Sequence, residues 1–368
     1  MTFKKIIRQI HLWLGLASGL VVFIVAITGA IWTFESEISD MVYSYRKVEP
    51  IAGQSIISIS EIKKIVKPQI NKVSGISFLG HDRSIEVRES NQIDGHYLNN
   101  YVYLNPYTGK VLKTRVNDPN FFEIVIELHT SLLLGEVGRQ IVDYATLIFL
   151  ILLISGIYLW WPKKKIGIKQ RMKFDWKTST KWKRKNFDLH SILGFYASWI
   201  VIFVAITGLN WGFEWVDKGI YAVATFGEEY KPYTQVNSTS AVTVNKAIGL
   251  DDSILQTAIQ KYGQTFESWH YYFPEKSEES ISLYINPDIN TWYKSSTYYF
   301  DQRTGKLLQT ENPKDFNNGQ LIRNMYYDIH IGKILGLTGQ LLVFFASIIV
   351  ASLPVTGFLI WWGRKNKK

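Results

Sequence analysis

Four runs of about 20 or more predominantly apolar residues punctuate this chain, at 12–32, 141–161, 192–211 and 334–362. At about 1.5 Å rise per residue, each is long enough for a hydrocarbon core of about 30 Å. Lipid offers a peptide group no hydrogen-bond partner, so a run of this length crosses as an α-helix. The expected class is therefore a membrane protein with four transmembrane helices. The hydrophobic residues, 47% of the chain, collect in these runs instead of spreading over soluble cores. Trp13, Trp32, Trp160, Trp161, Trp211, Trp361 and Trp362 stand near the ends of the runs, where an aromatic belt meets the headgroups.

Lysine and arginine orient the spans, because basic flanks stay in the cytoplasm. Lys4, Lys5 and Arg8 precede the first span, a basic stretch at 163–189 joins the second to the third, and Arg364, Lys365, Lys367 and Lys368 follow the fourth. Both termini and the 163–189 loop are thus expected inside, and the long loops near 36–128 and 215–329 outside. The net charge of +10 is accounted for by inner flanks facing anionic lipid, so no nucleic-acid partner is expected. The first span begins like a signal peptide but exceeds the usual apolar length. A near-copy of it lies mid-chain, so retention is expected. With no cysteine, iron–sulfur clusters, thiolate metal sites, c-type haem attachment and disulfides are excluded.

The near-copy extends well beyond one helix. Residues 11–35 and 190–214 align without a gap and are identical at 12 of 25 positions, which is too ordered for chance. The stretch 127–161 aligns with 328–362, setting His129 on His330, Gly135 on Gly336, Gly138 on Gly339 and Gly156 on Gly357. In the outer loops, "YVYLNPYTGKVL" at 101–112 parallels "YYFDQRTGKLL" at 298–308, each with strand alternation around a turn. Two parallel repeats are expected, each a span, an outer α+β domain and a histidine-headed span. The divisions are 1–35, 36–128, 129–162, 163–189, 190–214, 215–329 and 330–368. One geometric point stays open: from His129 to Trp161 is 32 residues, about 48 Å if wholly helical, so this segment projects outward, tilts or breaks at its glycines.

Four of the seven histidines head the four spans. His11 and His190 start spans entered from inside, His129 and His330 spans entered from outside, so one pair belongs to each face. A single interfacial imidazole is unremarkable, but four at matched registers are functional candidates, and imidazole is a good axial ligand for haem iron. Two bis-histidine b-type haems, one near each face, would form an electron path across the membrane. Gly15, Gly19 and Gly194 inside, and Gly135, Gly138, Gly332, Gly336 and Gly339 outside, are candidates to make room for a macrocycle or, equally, for ordinary helix packing. Arg8, Arg139, Arg184 and Arg323 stand where propionates would emerge, although Arg8 and Arg184 read better as positive-inside charge. Glu127 and Asp328 beside His129 and His330 leave a non-haem outer metal site as a lesser alternative. His81, His96 and His270 are assigned to structure. The aromatic stretches at 268–273, 291–300 and 324–327 read as domain core or as a docking surface.

The duplicated "H…AITG…W.FE" spans, the "H…G..G…[ST]G…WW" spans and the "TGK" hairpins together resemble the PepSY-associated transmembrane family of iron-regulated bacterial membrane proteins. The resemblance covers both halves. It implies PepSY-like outer domains in the periplasm, a multi-pass location in the bacterial inner membrane, and a role similar to a di-haem reductase of ferric siderophores, with His11, His129, His190 and His330 as ligands. No "GxGxxG" follows the last span, so electrons are expected from a separate cytoplasmic or quinol donor. The acceptor would be a ferric siderophore or other ferric chelate. Two rival readings remain: a cofactor-free PepSY-type protein that binds peptides or regulates a protease, and a haem electron-transfer subunit of another membrane oxidoreductase.

Overall fold

Apolar sequence becomes helix at all four expected spans. The computed structural model describes every residue except 1, 52, 94–95, 163–166, 234, 239–248, 263–264 and 366–368. The lysines at 163–165, the last lysines of the tail and the start of the helix expected from 242 lie outside the described residues. In chain order the helices are α1 (Phe3–Trp32), α2 (Glu35–Val42), α3 (Ile59–Val66), α4 (Phe121–Ser131), α5 (Gly135–Trp160), α6 (Gly167–Arg171), α7 (Trp182–Asp188), α8 (Gly194–Asn210), α9 (Glu214–Ala224), α10 (Leu250–Tyr262), α11 (Asn318–His330) and α12 (Gly336–Lys365). The strands are β1 (Gly75–Phe78), β2 (Ile85–Ile93), β3 (His96–Leu104), β4 (Val111–Arg115), β5 (Ser268–Tyr272), β6 (Ile281–Asn286), β7 (Ser296–Phe300) and β8 (Leu307–Glu311). The chain forms two compact units, one from residues 1–35, 121–219 and 326–368, the other from 36–120 and 220–325.

The first unit is a helix bundle. A π-helical turn at Leu189–Leu193 joins α7 to α8, so Trp182–Asn210 runs as one helix of 29 residues. With α1, α5 and α12 it makes four helices long and apolar enough to cross a membrane. Both α1 and α8 pack on α5 and α12, which sets α1 and α8 across the bundle from each other. The bundle centre is an apolar layer that includes Val22, Leu153, Ala197, Val201, Ala346 and Val350. Leu20, Phe23, Ile154, Phe203 and Phe345 are exposed on its outside, an apolar girdle suited to lipid.

The segment from 129 to 162, whose course the sequence left open, breaks between α4 and α5. After α4 the backbone turns through left-handed Leu132 and Leu133, and Gly135 takes the same sign of φ at 55°. A Cβ on Gly138 would collide with the Ser131 carbonyl oxygen, so glycine lets the first turn of α5 close on the chain that leaves α4. After α11 the turn is built alike: Gly332 and Gly336 are left-handed, with φ of 82° and 60°, and a Cβ on Gly339 would strike the Gly332 carbonyl. His129 and His330 therefore sit on short helices ahead of the spans, and the excess length is absorbed by the turn.

The second unit is one antiparallel sheet of eight strands in the order β4-β3-β2-β1-β5-β6-β7-β8. Two separate outer domains were expected. Instead β1 and β5 pair, Gly75 opposite Tyr272 and Phe78 opposite Trp269, because each would otherwise leave an unpaired strand edge. Alternation places Ile85, Val87, Trp269, Tyr271, Leu283 and Phe300 on the face covered by α3 and α10, which contribute Ile59, Ile62, Ile254 and Ala258. Across the two helices Lys63 Nζ meets Asp251 Oδ2 at 2.7 Å, and Tyr271 Oη donates to Asp251 Oδ1 at 2.9 Å. Both Thr-Gly-Lys stretches form the turns of hairpins, where Asn105 Oδ1 and Asp301 Oδ1 each accept from two backbone N–H groups.

Two stability outcomes follow from this packing. Gly138→Ala forces the α4–α5 turn apart and is expected to cost about 1–3 kcal/mol, measurable as a lowered unfolding midpoint of the detergent-solubilised protein. His270 lies half-buried in the sheet with Nδ1 at 2.9 Å from Ser77 Oγ. Burial first, and the charge of Arg88 second, hold its pKa down at about 4 against an ordinary 6.5. The unfolded chain then binds more protons between these values, so stability is full above about pH 6.5 and is lost as the pH falls toward about 4. His270→Gln is expected to flatten that part of the pH profile in denaturant unfolding.

Candidate functional site

The bundle brings its four histidines together in two pairs. The His11 and His190 ring centroids are 6.5 Å apart with planes crossed at 90°, and those of His129 and His330 are 6.1 Å apart at 73°. His11 lies on α1, His190 in the π-helical turn, His129 on α4 and His330 on α11.

Each ring rests on a hydroxyl-glycine dipeptide of a neighbouring helix. His11 Nδ1 is 2.8 Å from Ser155 Oγ, and His190 Nδ1 is 2.9 Å from Thr356 Oγ1. His129 Nδ1 meets the Val25 carbonyl at 2.9 Å and Thr28 Oγ1 at 3.2 Å. His330 Nδ1 meets the Val204 carbonyl at 3.0 Å and Thr207 Oγ1 at 3.1 Å. The following glycine leaves space for the ring: a Cβ would stand 3.4 Å from His11 Cε1 at Gly156, 3.2 Å from His190 Cε1 at Gly357, 2.9 Å from His129 Cε1 at Gly29 and 3.2 Å from His330 Cε1 at Gly208.

These contacts bear on where the proton of each ring sits. The hydroxyls give their own hydrogens to carbonyls of their own helix: Ser155 to Leu152, Thr356 to Ser352 and Leu353, Thr28 to Ile24 and Val25, Thr207 to Phe203 and Val204. At His129 and His330 a carbonyl, which only accepts, faces Nδ1, so Nδ1 carries the hydrogen there and Nε2 holds a lone pair; at His11 and His190 the hydroxyl oxygens can accept from Nδ1 in the same form. A ligating histidine is held in this way, its tautomer and orientation set by a partner behind it.

The donor set selects what the pairs can hold. Two imidazoles binding one metal ion from opposite sides, at about 2 Å per bond, put their ring centroids about 6 Å apart, the spacing seen in both pairs. Among the described residues no three metal-ligating side chains cluster, which leaves zinc or non-haem iron short of protein ligands. A macrocycle that brings its own equatorial donors needs only the two axial nitrogens, and the residues fit it. Thr28 follows His11 by 17 residues on α1, and Thr207 follows His190 by 17. The two pairs are therefore about 25 Å apart along the bundle, with the apolar layer between them.

A family model described as PepSY-associated TM region matches residues 8–364. The chain belongs to that family. No curated protein matches it.

The other candidates in this PepSY-associated chain take structural places. Arg139 donates from Nη2 to the Trp211 carbonyl at 2.8 Å, closing the end of α8, with Asp143 at 3.7 Å. Gln340 does the same for the Thr33 carbonyl after α1, at 3.0 Å. Arg323 belongs to the sheet unit, buried with its guanidinium over Tyr221, Tyr230 and Tyr233 and donating to the Lys231 carbonyl at 2.7 Å. Arg184 pairs with Asp188 at 2.9 Å, and Arg8 is exposed one turn before His11. Gly15, Gly19 and Gly194 face Leu152, Pro354 and Leu353 of neighbouring helices, whereas Gly135, Gly138, Gly332, Gly336 and Gly339 build the turns already described.

Sequence reasoning passed over the residues that hold the rings: Thr28, Gly29, Ser155, Gly156, Thr207, Gly208, Thr356 and Gly357. The signal was present, since a hydroxyl residue precedes a glycine at all four places. Asn186 Nδ2 also braces the Thr356 carbonyl at 3.0 Å. Neutral imidazole in water favours the Nε2–H form, so the Nδ1–H form is diagnostic. Long-range ¹H–¹⁵N spectra of histidine-labelled protein in a diamagnetic state are expected to show Nδ1–H at all four bundle histidines.

Proposed function

We propose that this protein is a di-haem, b-type transmembrane electron carrier that reduces a ferric chelate, of the siderophore class, on the periplasmic face. The observation that carries this reading is the matched pair of sites: two imidazoles each, with ring centroids 6.5 and 6.1 Å apart, and every Nδ1 held against a hydroxyl of a neighbouring helix. Haem bound at each pair would supply one-electron redox chemistry without any general acid or nucleophile. His11 and His190 would hold the inner group, His129 and His330 the outer one.

The protein's own part is to bind and to orient. Ser155, Thr356, Thr28 and Thr207 keep the rings in the ligating tautomer, and the glycines beside them let the rings approach the neighbouring helix. The layer around Val22, Leu153, Val201 and Val350 keeps water and ions out of the middle of the bundle, so charge crosses as electrons alone. Iron(III) held by hard oxygen ligands loses affinity for them on reduction, which would free the metal for uptake.

Further parts of this reading are the inner-membrane location, cytoplasmic termini, two parallel repeats with PepSY-like outer portions, and a separate cytoplasmic or quinol electron donor. The family assignment, the basic flanks and the internal sequence match support them.

A pyridine haemochrome assay on the full-length protein from haem-replete cells is expected to give two b-type haems per chain. His11→Ala and His190→Ala should each lose the same haem, and His129→Ala and His330→Ala the other. In vesicles loaded with donor, the wild type should reduce an external ferric chelate and the variants should not. A colourless wild type, or equal rates in wild type and variants, would overturn the reading.

A further inference from the structure

Trp160 closes α5, and its side chain is buried with Nε1 lacking any hydrogen-bond acceptor among the described residues. Its ring lies flat on Phe195 of α8, centroids 3.7 Å apart and planes within 8°, so the indole is held in one orientation. A buried donor without an acceptor calls for an explanation, and unlike Trp269, the other such indole, which lies in the sheet core, Trp160 stands next to a histidine pair.

The position of Trp160 says which partner. It follows Gly156 by four residues, one helical turn, and so lies on the same face of α5, about 6 Å further toward the helix end. Gly156 is the residue whose missing Cβ makes room for His11. A group held between His11 and His190 would thus extend past Trp160 as it reaches the end of the bundle. An acceptor is required there, and a carboxylate takes a charge-assisted bond from an N–H donor. The arginines proposed for this task are exposed, as Arg8 is, or paired with Asp188, as Arg184 is.

We infer that the Trp160 indole N–H donates to a carboxylate of the group bound between His11 and His190, a propionate if that group is haem. The inference rests on the di-haem reading. It makes Trp160 a positioning residue that fixes how the group sits in the inner pocket.

The test is the ¹⁵N-indole spectrum of full-length, haem-replete protein in the reduced, diamagnetic state. The Trp160 resonance is identified by its loss in Trp160→Phe or, should that variant not accumulate, by its displacement in Phe195→Leu. A downfield, hydrogen-bonded N–H proton is expected in the wild type. It should move upfield in His11→Ala, which lacks the inner group. Removing the donor should also lower the midpoint potential of the inner haem and leave the outer one unchanged, because the propionate charge is less well compensated. A Trp160 proton at the free-indole position in protein with both haems present overturns this assignment alone. A wild type without haem overturns it together with the di-haem reading.

Discussion

An imidazole placed inside an apolar bundle needs a hydrogen-bond partner, and here each Nδ1 meets a hydroxyl oxygen of a neighbouring helix. That one arrangement, made four times, decides the rest of the bundle core. The hydroxyl has to face the neighbouring helix, the next residue has to be glycine so the ring can lie close, and the two rings of a pair come within about 6 Å of each other. At His129 and His330 a backbone carbonyl joins the hydroxyl as acceptor. Such bonds in low-dielectric surroundings are strong and costly to leave unmade, so they hold the rings more firmly than apolar packing alone.

The helix connections serve the same end. His129 and His330 anchor to α1 and α8, yet they precede spans that run beside those helices. Only a sharp turn after each histidine lets the chain place the imidazole and then begin the span. Left-handed residues and a glycine pressed on a carbonyl make that turn in both places. The hydrogen bonds tie α4 to α1, α1 to α5, α11 to α8 and α7–α8 to α12, while the ring pairs join one half of the chain to the other. Each half carries the anchors and both halves are needed for a pair.

Much of this was legible beforehand in particular residues. The four apolar runs had to be helices, and the registers of His11, His129, His190 and His330 marked them out because four matched imidazoles at span ends are hard to explain by packing. The strands around both Thr-Gly-Lys turns were visible from alternation. The single eight-stranded sheet was not, since pairing of β1 with β5 joins segments nearly two hundred residues apart and leaves no local signal. The surroundings of the arginines were not legible for a related reason: Arg139 and Arg323 have the right chemistry for a carboxylate, but the helix-end carbonyl and the three tyrosines they meet are brought near only by the fold.

By itself the sequence determined the membrane class, the internal match and the identity of the four histidines, because length, hydropathy and register are properties of the chain read in order. Tertiary structure alone decided the spacing within each histidine pair and which hydroxyls and carbonyls hold each ring. It also decided that Gly29, Gly156, Gly208 and Gly357, not the glycines nearest the histidines in sequence, lie beside the rings. Those outcomes depend on atoms brought together from different helices, and a hydrogen bond or a missing Cβ has no meaning until its neighbour is in place.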